Sequence, residues 1–123
     1  MRRVVQPGGL VLVIDIEGHE DPLVDTHLQA MELLRDRSHV RDRSPSEWSR
    51  LLTAAGFGQV QHQSWPSTLA FSTWVARMRT PEQRVAMIRT MQSEAPREVQ
   101  DALSIQADGS FTARTGLWWG LAV

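Results

Sequence analysis

The stretch Arg3-Val4-Val5-Gln6-Pro7-Gly8-Gly9 runs without a break into Leu10-Val11-Leu12-Val13-Ile14-Asp15-Ile16, and its reading decides the fold. Pro7 has no backbone N–H and biases Gln6 away from helical angles, so any preceding helix stops there. Gly8 and Gly9 supply a tight turn. The apolar run after them shows no in/out alternation, which predicts a strand covered on both faces, as in a parallel sheet. Parallel neighbours are joined by a crossover, and no segment before Leu10 provides one. The opening therefore reads as the middle of an α/β domain, and the chain as the later portion of one.

Further along, the chain is well punctuated. Asp21 caps a predicted helix with Pro22 at its first position, and Leu23, Val24, Leu28, Met31 and Leu34 form an apolar stripe at helical spacing. Arg35 to Arg43 reads as an irregular loop. Ser44-Pro45-Ser46-Glu47 is a capping box for a helix burying Trp48, Leu51, Leu52 and Ala55, with Gly56 ending it. Phe57 to Ser64 alternates weakly and predicts a strand. Thr68 to Arg79 reads as a helix carrying Phe71, Trp74, Val75 and Met78 on one face. Thr80-Pro81-Glu82-Gln83 reads as a second capping box, before a helix through Val85, Ile88 and Met91. Pro96 opens a short helix toward Leu103. Asp108-Gly109 is a hairpin signal, and Phe111 to Val123 a long final strand.

In order and spacing these pieces resemble class I S-adenosylmethionine-dependent methyltransferases of the small-molecule, type 11-like branch. Arg3 to Ile16 is similar to the R-V-L-K-P-G-G segment entering that family's fifth strand. The likeness continues through Leu34-Arg35-Asp36-Arg37-Ser38-His39-Val40-Arg41, Glu47-Trp48 with Ala54-Ala55-Gly56-Phe57, Trp74 to Pro81 and Asp108 to Phe111. It spans nearly the whole chain. It implies an α/β partial methyltransferase fold of residues 1–123 as a single domain. That fold would hold the last three strands of the sheet, the final one antiparallel between the other two, with flanking and lid helices. The family's cofactor half is missing: no G-x-G-x-x-G occurs, and no strand–glycine-loop–helix unit. The family uses S-adenosylmethionine, and the expectation is that this chain does not bind it alone.

Composition narrows the classes. With 123 residues the chain is one domain that buries about two-thirds of its unfolded surface. A net charge of −1 leaves no footprint for nucleic acid or anionic lipid. There is no cysteine, hence no disulfide or thiolate metal site, and all thirteen basic residues are arginine. No apolar run approaches a membrane span, so a soluble cytoplasmic protein is the expectation.

Ligands of open α/β sheets bind outside the carboxyl ends of the strands. This places Asp15, Glu17, His19 and Glu20 at the mouth; His19 and Glu20 are the candidate catalytic base pair, against the favoured reading of ordinary loop residues before a helix cap. Arg35 to Arg43 holds four arginines, two aspartates, Ser38 and His39. Arg35, His39 and Arg41 are candidates for gripping a carboxylate or phosphate of a small-molecule substrate; the alternative is a solvated, self-neutralised turn. Trp48 and Trp74 read as core. Trp65, taken as a loop residue before Pro66, and Phe71 are candidates for lining an apolar substrate pocket with Met78, Met87 and the Trp118-Trp119 pair, against plain core packing. The four histidines show no metal-ligand spacing. Two classes of function remain open: the substrate-side half of a methyltransferase, or a non-catalytic ligand-binding or dimerising module derived from that fold. The Leu10–Ile16 strand is expected to be an open sheet edge, covered by a second copy in a homodimer or by a partner chain.

Overall fold

A computed structural model describes all residues from Met1 to Val123. After a 3-10 turn at Arg2–Val4, the elements are β1 (Leu10–Ile16), α1 (Pro22–Arg35), α2 (Pro45–Ala54), β2 (Phe57–Leu69), α3 (Phe71–Arg77), α4 (Glu82–Glu94), α5 (Arg97–Ala102) and β3 (Phe111–Ala122). The sheet order is β1-β3-β2, and β3 pairs antiparallel with both neighbours. β1 and β2 therefore run the same way with the final strand inserted between them, as the resemblance implied.

Two cores flank this sheet. Leu52 of α2 packs with Val11, Phe57, Trp118 and Ala122 on one face, with Trp48 against them. On the opposite side, Val24, Leu28 and Met31 of α1 join Phe71, Trp74, Ile88, Val99 and the start of β3 in a larger core. Each helix exists to close one of these. Asp21 accepts from Leu23 N–H with Pro22 in the first turn, and Ser44 and Glu47 complete their capping box. No helix is long and apolar enough to cross a membrane.

β1 departs from its sequence reading. Val11 is buried, but Leu10, Leu12 and Ile14 are 53 %, 58 % and 65 % exposed, so one face of the strand is bare. Opposite them on β3 stand Leu121, Trp119 and Leu117, which makes a continuous apolar surface beside an unpaired edge. The all-apolar run records what the strand needs covered, and this chain covers only one side. Nor is the strand parallel to the neighbour it pairs with.

Other boundaries moved. β2 extends to Leu69, so Trp65 and Pro66 lie in a strand; proline is admitted because β2 is the sheet's other edge. That extension takes Thr68 and Leu69 from the expected helix and leaves α3 with seven residues. The second capping box does not form: Pro81 sits at the cap position without a side-chain bond, and the Thr80 hydroxyl donates to Arg35 O at 2.9 Å. Asp108-Gly109 is a turn from α5 into β3 and not a hairpin, because no strand precedes it. Leu51 and Ala55 face solvent, leaving Leu52 as the buried residue of α2.

Candidate functional site

The chain leaves the sheet at Glu17, whose N–H donates to Arg114 O at 2.8 Å, and Gly18 N–H follows by donating to Arg43 O at 3.0 Å. A Cβ on Gly18 would lie 2.6 Å from Asp42 O, so only glycine lets the 42–44 backbone close over the end of β1. The result is a cleft of about 200 Å³ at the carboxyl end of β1, between Glu17–Glu20 and Leu103 with Thr112–Arg114. This is where the strand topology places ligands.

Glu17 is buried, and its carboxylate lies 2.6 Å from His62 Nε2. The His62 ring stacks on Trp118, with centroids 4.9 Å apart and planes 22° apart. Gly116 makes room for this arrangement: a Cβ there would be 2.7 Å from Glu17 Oε1 and closer still to the Trp118 ring. His62 was not singled out from the sequence. Its only signal is its place in the weakly alternating strand.

Both predicted catalytic residues border the cleft, each already engaged. His19 Nδ1 accepts from Asp21 N–H at 3.0 Å, so its lone pair is used and its proton sits on Nε2. Glu20 accepts from Ser46 N–H and from the Ser46 hydroxyl, both at 3.2 Å. The Ser46 bonds, backbone first, hold its carboxyl below the ordinary range, which makes it a weaker base.

The arginine run does not converge. Arg35 donates from Nε to Trp74 O at 2.8 Å and lies 4.9 Å over the Trp74 ring; burial lowers its pKa. With Arg37, Arg79 and Arg84 it rims a separate depression of about 420 Å³. Arg41, half exposed, pairs with Glu47 at 2.8 Å and approaches Asp25 at 3.9 Å. His39 turns inward, where Nδ1 is 3.4 Å from Glu32 Oε2 and Nε2 is 2.8 Å from Gln29 Oε1. Glu32, His39 and Asp42 present ligand atoms all within 4.8 Å of one another. Burial above all raises the Glu32 carboxyl to about 9, and the Asp42 carboxyl is raised for the same first reason. Spacing could not reveal this group, although an acid at Glu32, one turn beyond buried Leu28 on the apolar face of α1, was a readable anomaly.

The aromatic pocket does not form. Phe71 is in the core, Trp65 is 39 % exposed on the β2 edge, and Met78 and Met87 face outward. Phe71 instead stacks beneath the Arg89 guanidinium at 5.5 Å. Trp118 is fully buried and Trp119 half-buried, as alternation along a strand requires.

The residues present do not fit a whole S-adenosylmethionine. The only glycine after a strand's carboxyl end in the cleft is Gly18, and its space is filled by Asp42 and Arg43, so no open amide loop is left to cradle a nucleoside.

The chain is 41 % identical over 92 % of its length to the uncharacterized protein YafE of Escherichia coli, covering 55 % of that protein. It is 33 % identical over 84 % of its length to the uncharacterized methyltransferase YcgJ of Bacillus subtilis, covering 41 % of it. The crystal structure of YcgJ matches 98 % of the chain with a TM-score of 0.90 and 31 % identity, over 54 % of the YcgJ chain. The Bacillus halodurans protein BH2331, which carries a provisional methyltransferase assignment, matches 98 % of the chain with a TM-score of 0.91 and 26 % identity, over 58 % of its own length. No protein-family model matches. The chain spans about half the length of the curated relatives it matches. Its three strands and five α-helices form the C-terminal part of a methyltransferase fold.

Proposed function

We propose that this chain supplies the substrate-side half of an S-adenosylmethionine-dependent methyltransferase acting on a small molecule. The observation that carries the reading is the match of 98 % of the chain to about half of two methyltransferase structures, combined with a cleft at the carboxyl end of β1. In this reading the cofactor is held by segments outside the matched half, and Glu17, His19 and Glu20 face the methyl acceptor. The purified chain should show no micromolar affinity for S-adenosylmethionine by calorimetry. A chimera joining it to the unmatched part of the Bacillus subtilis relative should bind the cofactor as that relative does. Micromolar binding by the chain alone, or a folded chimera that fails where the parent binds, overturns the division of roles.

A second reading, the dimerising module, is favoured by one feature: the unpaired edge of β1 beside exposed Leu10, Leu12 and Ile14. Exposed apolar edges invite strand addition, and a second copy would continue the sheet across a two-fold axis. Light scattering at micromolar concentration should then give a dimer, lost in Leu12→Pro and Val13→Lys. A stable, well-folded monomer refutes this reading and leaves the first untouched.

A further inference from the structure

We propose that Glu32, His39 and Asp42 form a buried binding site for a divalent transition-metal ion, with Zn²⁺ as the probe cation. The argument begins at Gln29. Its Nε2 donates to Asp25 Oδ1 at 3.0 Å and to the Asp42 carbonyl at 3.1 Å. Both partners are acceptors only, so the amide orientation is fixed and Oε1 points the other way. That oxygen accepts from Asp42 N–H at 2.9 Å and lies 2.8 Å from His39 Nε2. An acceptor there requires the ring proton on Nε2. His39 Nδ1 is thereby left facing Glu32 Oε2 at 3.4 Å, nitrogen toward carboxylate.

Asp42 completes the set. It is 6 % exposed, and its buried Oδ2 has no hydrogen-bond donor other than the Glu32 carboxyl when that carries a proton. Glu32 is 7 % exposed. Three lone-pair-bearing atoms thus meet in a largely buried space, and such atoms are costly to bury without positive charge among them. Asp15, from the end of β1, adds negative potential at both carboxylates and Asp25 of α1 adds it at Asp42, while Arg35 opposes it at Glu32 and His39 at Asp42. Protons could supply the positive charge, and so could a metal ion. The second shell favours the ion: a ligating histidine characteristically donates its other ring N–H to a fixed acceptor, as His39 does to Gln29. A mixed imidazole and carboxylate set suits zinc and its neighbours better than calcium or magnesium. Bound there, the ion pins the loop after α1 to the helix itself, holding the backbone that closes over Gly18.

The test is calorimetric titration of chelator-stripped, dialysed chain with ZnCl2 at pH 7.5, alongside thermal melting. One site per chain and a higher Tm with zinc are expected. Glu32→Gln keeps a hydrogen-bond donor toward Asp42, so it preserves a proton-bridged cluster and folds, yet it removes a ligand. Its zinc affinity should fall at least tenfold, as should that of His39→Gln, each read on samples with unchanged circular dichroism. His27→Asn, on the exposed side of α1, should leave the site intact. No stoichiometric zinc on the wild-type chain overturns the proposal and leaves protons as the bridging charge. Binding that persists undiminished in Glu32→Gln and His39→Gln assigns the ion to surface histidines and overturns it equally.

Discussion

Replacing Gly116 with alanine should destabilise this chain strongly. The new Cβ would stand 2.7 Å from Glu17 Oε1 and closer to the Trp118 ring, and neither neighbour can yield freely. Trp118 is 0 % exposed within the α2-side core, and Glu17 is held 2.6 Å from His62. Overpacking a well-filled core costs about 1–3 kcal/mol. Displacing Glu17 also loses a charge-assisted hydrogen bond worth about 1.5–3 kcal/mol. One movement relieves part of each strain, so the two do not add in full and the expected loss is about 2–4 kcal/mol. With an unfolding entropy of about 2.1 cal/mol/K per residue, a chain of this length loses about 4 °C of Tm per kcal/mol, or about 8–16 °C. Calorimetric melting measures it. Trp118→Phe removes the outer part of the indole that the methyl would strike, so Gly116→Ala should cost at least about 1 kcal/mol less in that background. A variant melting within 2 °C (about 0.5 kcal/mol) of wild type, or an equal cost in both backgrounds, refutes the packing account.

Three further outcomes follow from geometry. Ser44→Ala removes the acceptor for Glu47 N–H and half of the capping box, and should destabilise by about 1 kcal/mol, read as a fall of a few degrees in Tm. In chelator, the folded chain holds a proton on Glu32 that the unfolded chain releases above about pH 4.5. Stability should therefore be fullest below that value and fall as pH rises from 5 to 8, by about 1.4 kcal/mol per unit at most for the Glu32 proton, with Asp42, also raised, acting in the same direction; Glu20, Asp36 and Asp108, shifted downward, act only at lower pH. A higher Tm at pH 8 than at pH 5.5 would contradict this. Arg41→Ala should cost less than about 1 kcal/mol, because its pairs with Glu47 and Asp25 are half exposed; a larger loss by denaturant titration would make Arg41 a structural residue.

What could be read from the sequence was what local chemistry decides. Asp21-Pro22 and Ser44-Pro45-Ser46-Glu47 begin helices because their side chains satisfy nearby amides, and that needs no tertiary partner. Thr80-Pro81-Glu82-Gln83 has the same form but failed, because Arg35 O, forty-five positions away in sequence, took the threonine hydroxyl. The long β2 was hidden by Pro66, which is harmful in a central strand and harmless on an edge, and strand order is not a local property. The site divided the same way. Glu17, His19 and Glu20 were placed by the rule for strand ends, whereas His62 and the Glu32–His39–Asp42 group depend on contacts between residues seven to forty-five positions apart.

The position of β3 also fixes when this sheet can exist during synthesis. Leu10 pairs with Leu121 and Phe57 with Ala122, so the central strand is the last of the three to leave the ribosome. Until then β1 and β2 have emerged with no partner between them, because each hydrogen-bonds only to β3. Helices α1 to α5 can form as they appear, but the strands must wait, and Val11 and Phe57 lack Trp118 and Ala122 to pack against until β3 arrives. A nascent chain stalled after residue 110 should accordingly bind a holdase chaperone and resist compaction, while one extended by a linker beyond Val123 should release it. Late closure by the middle strand makes the sheet an all-or-nothing event.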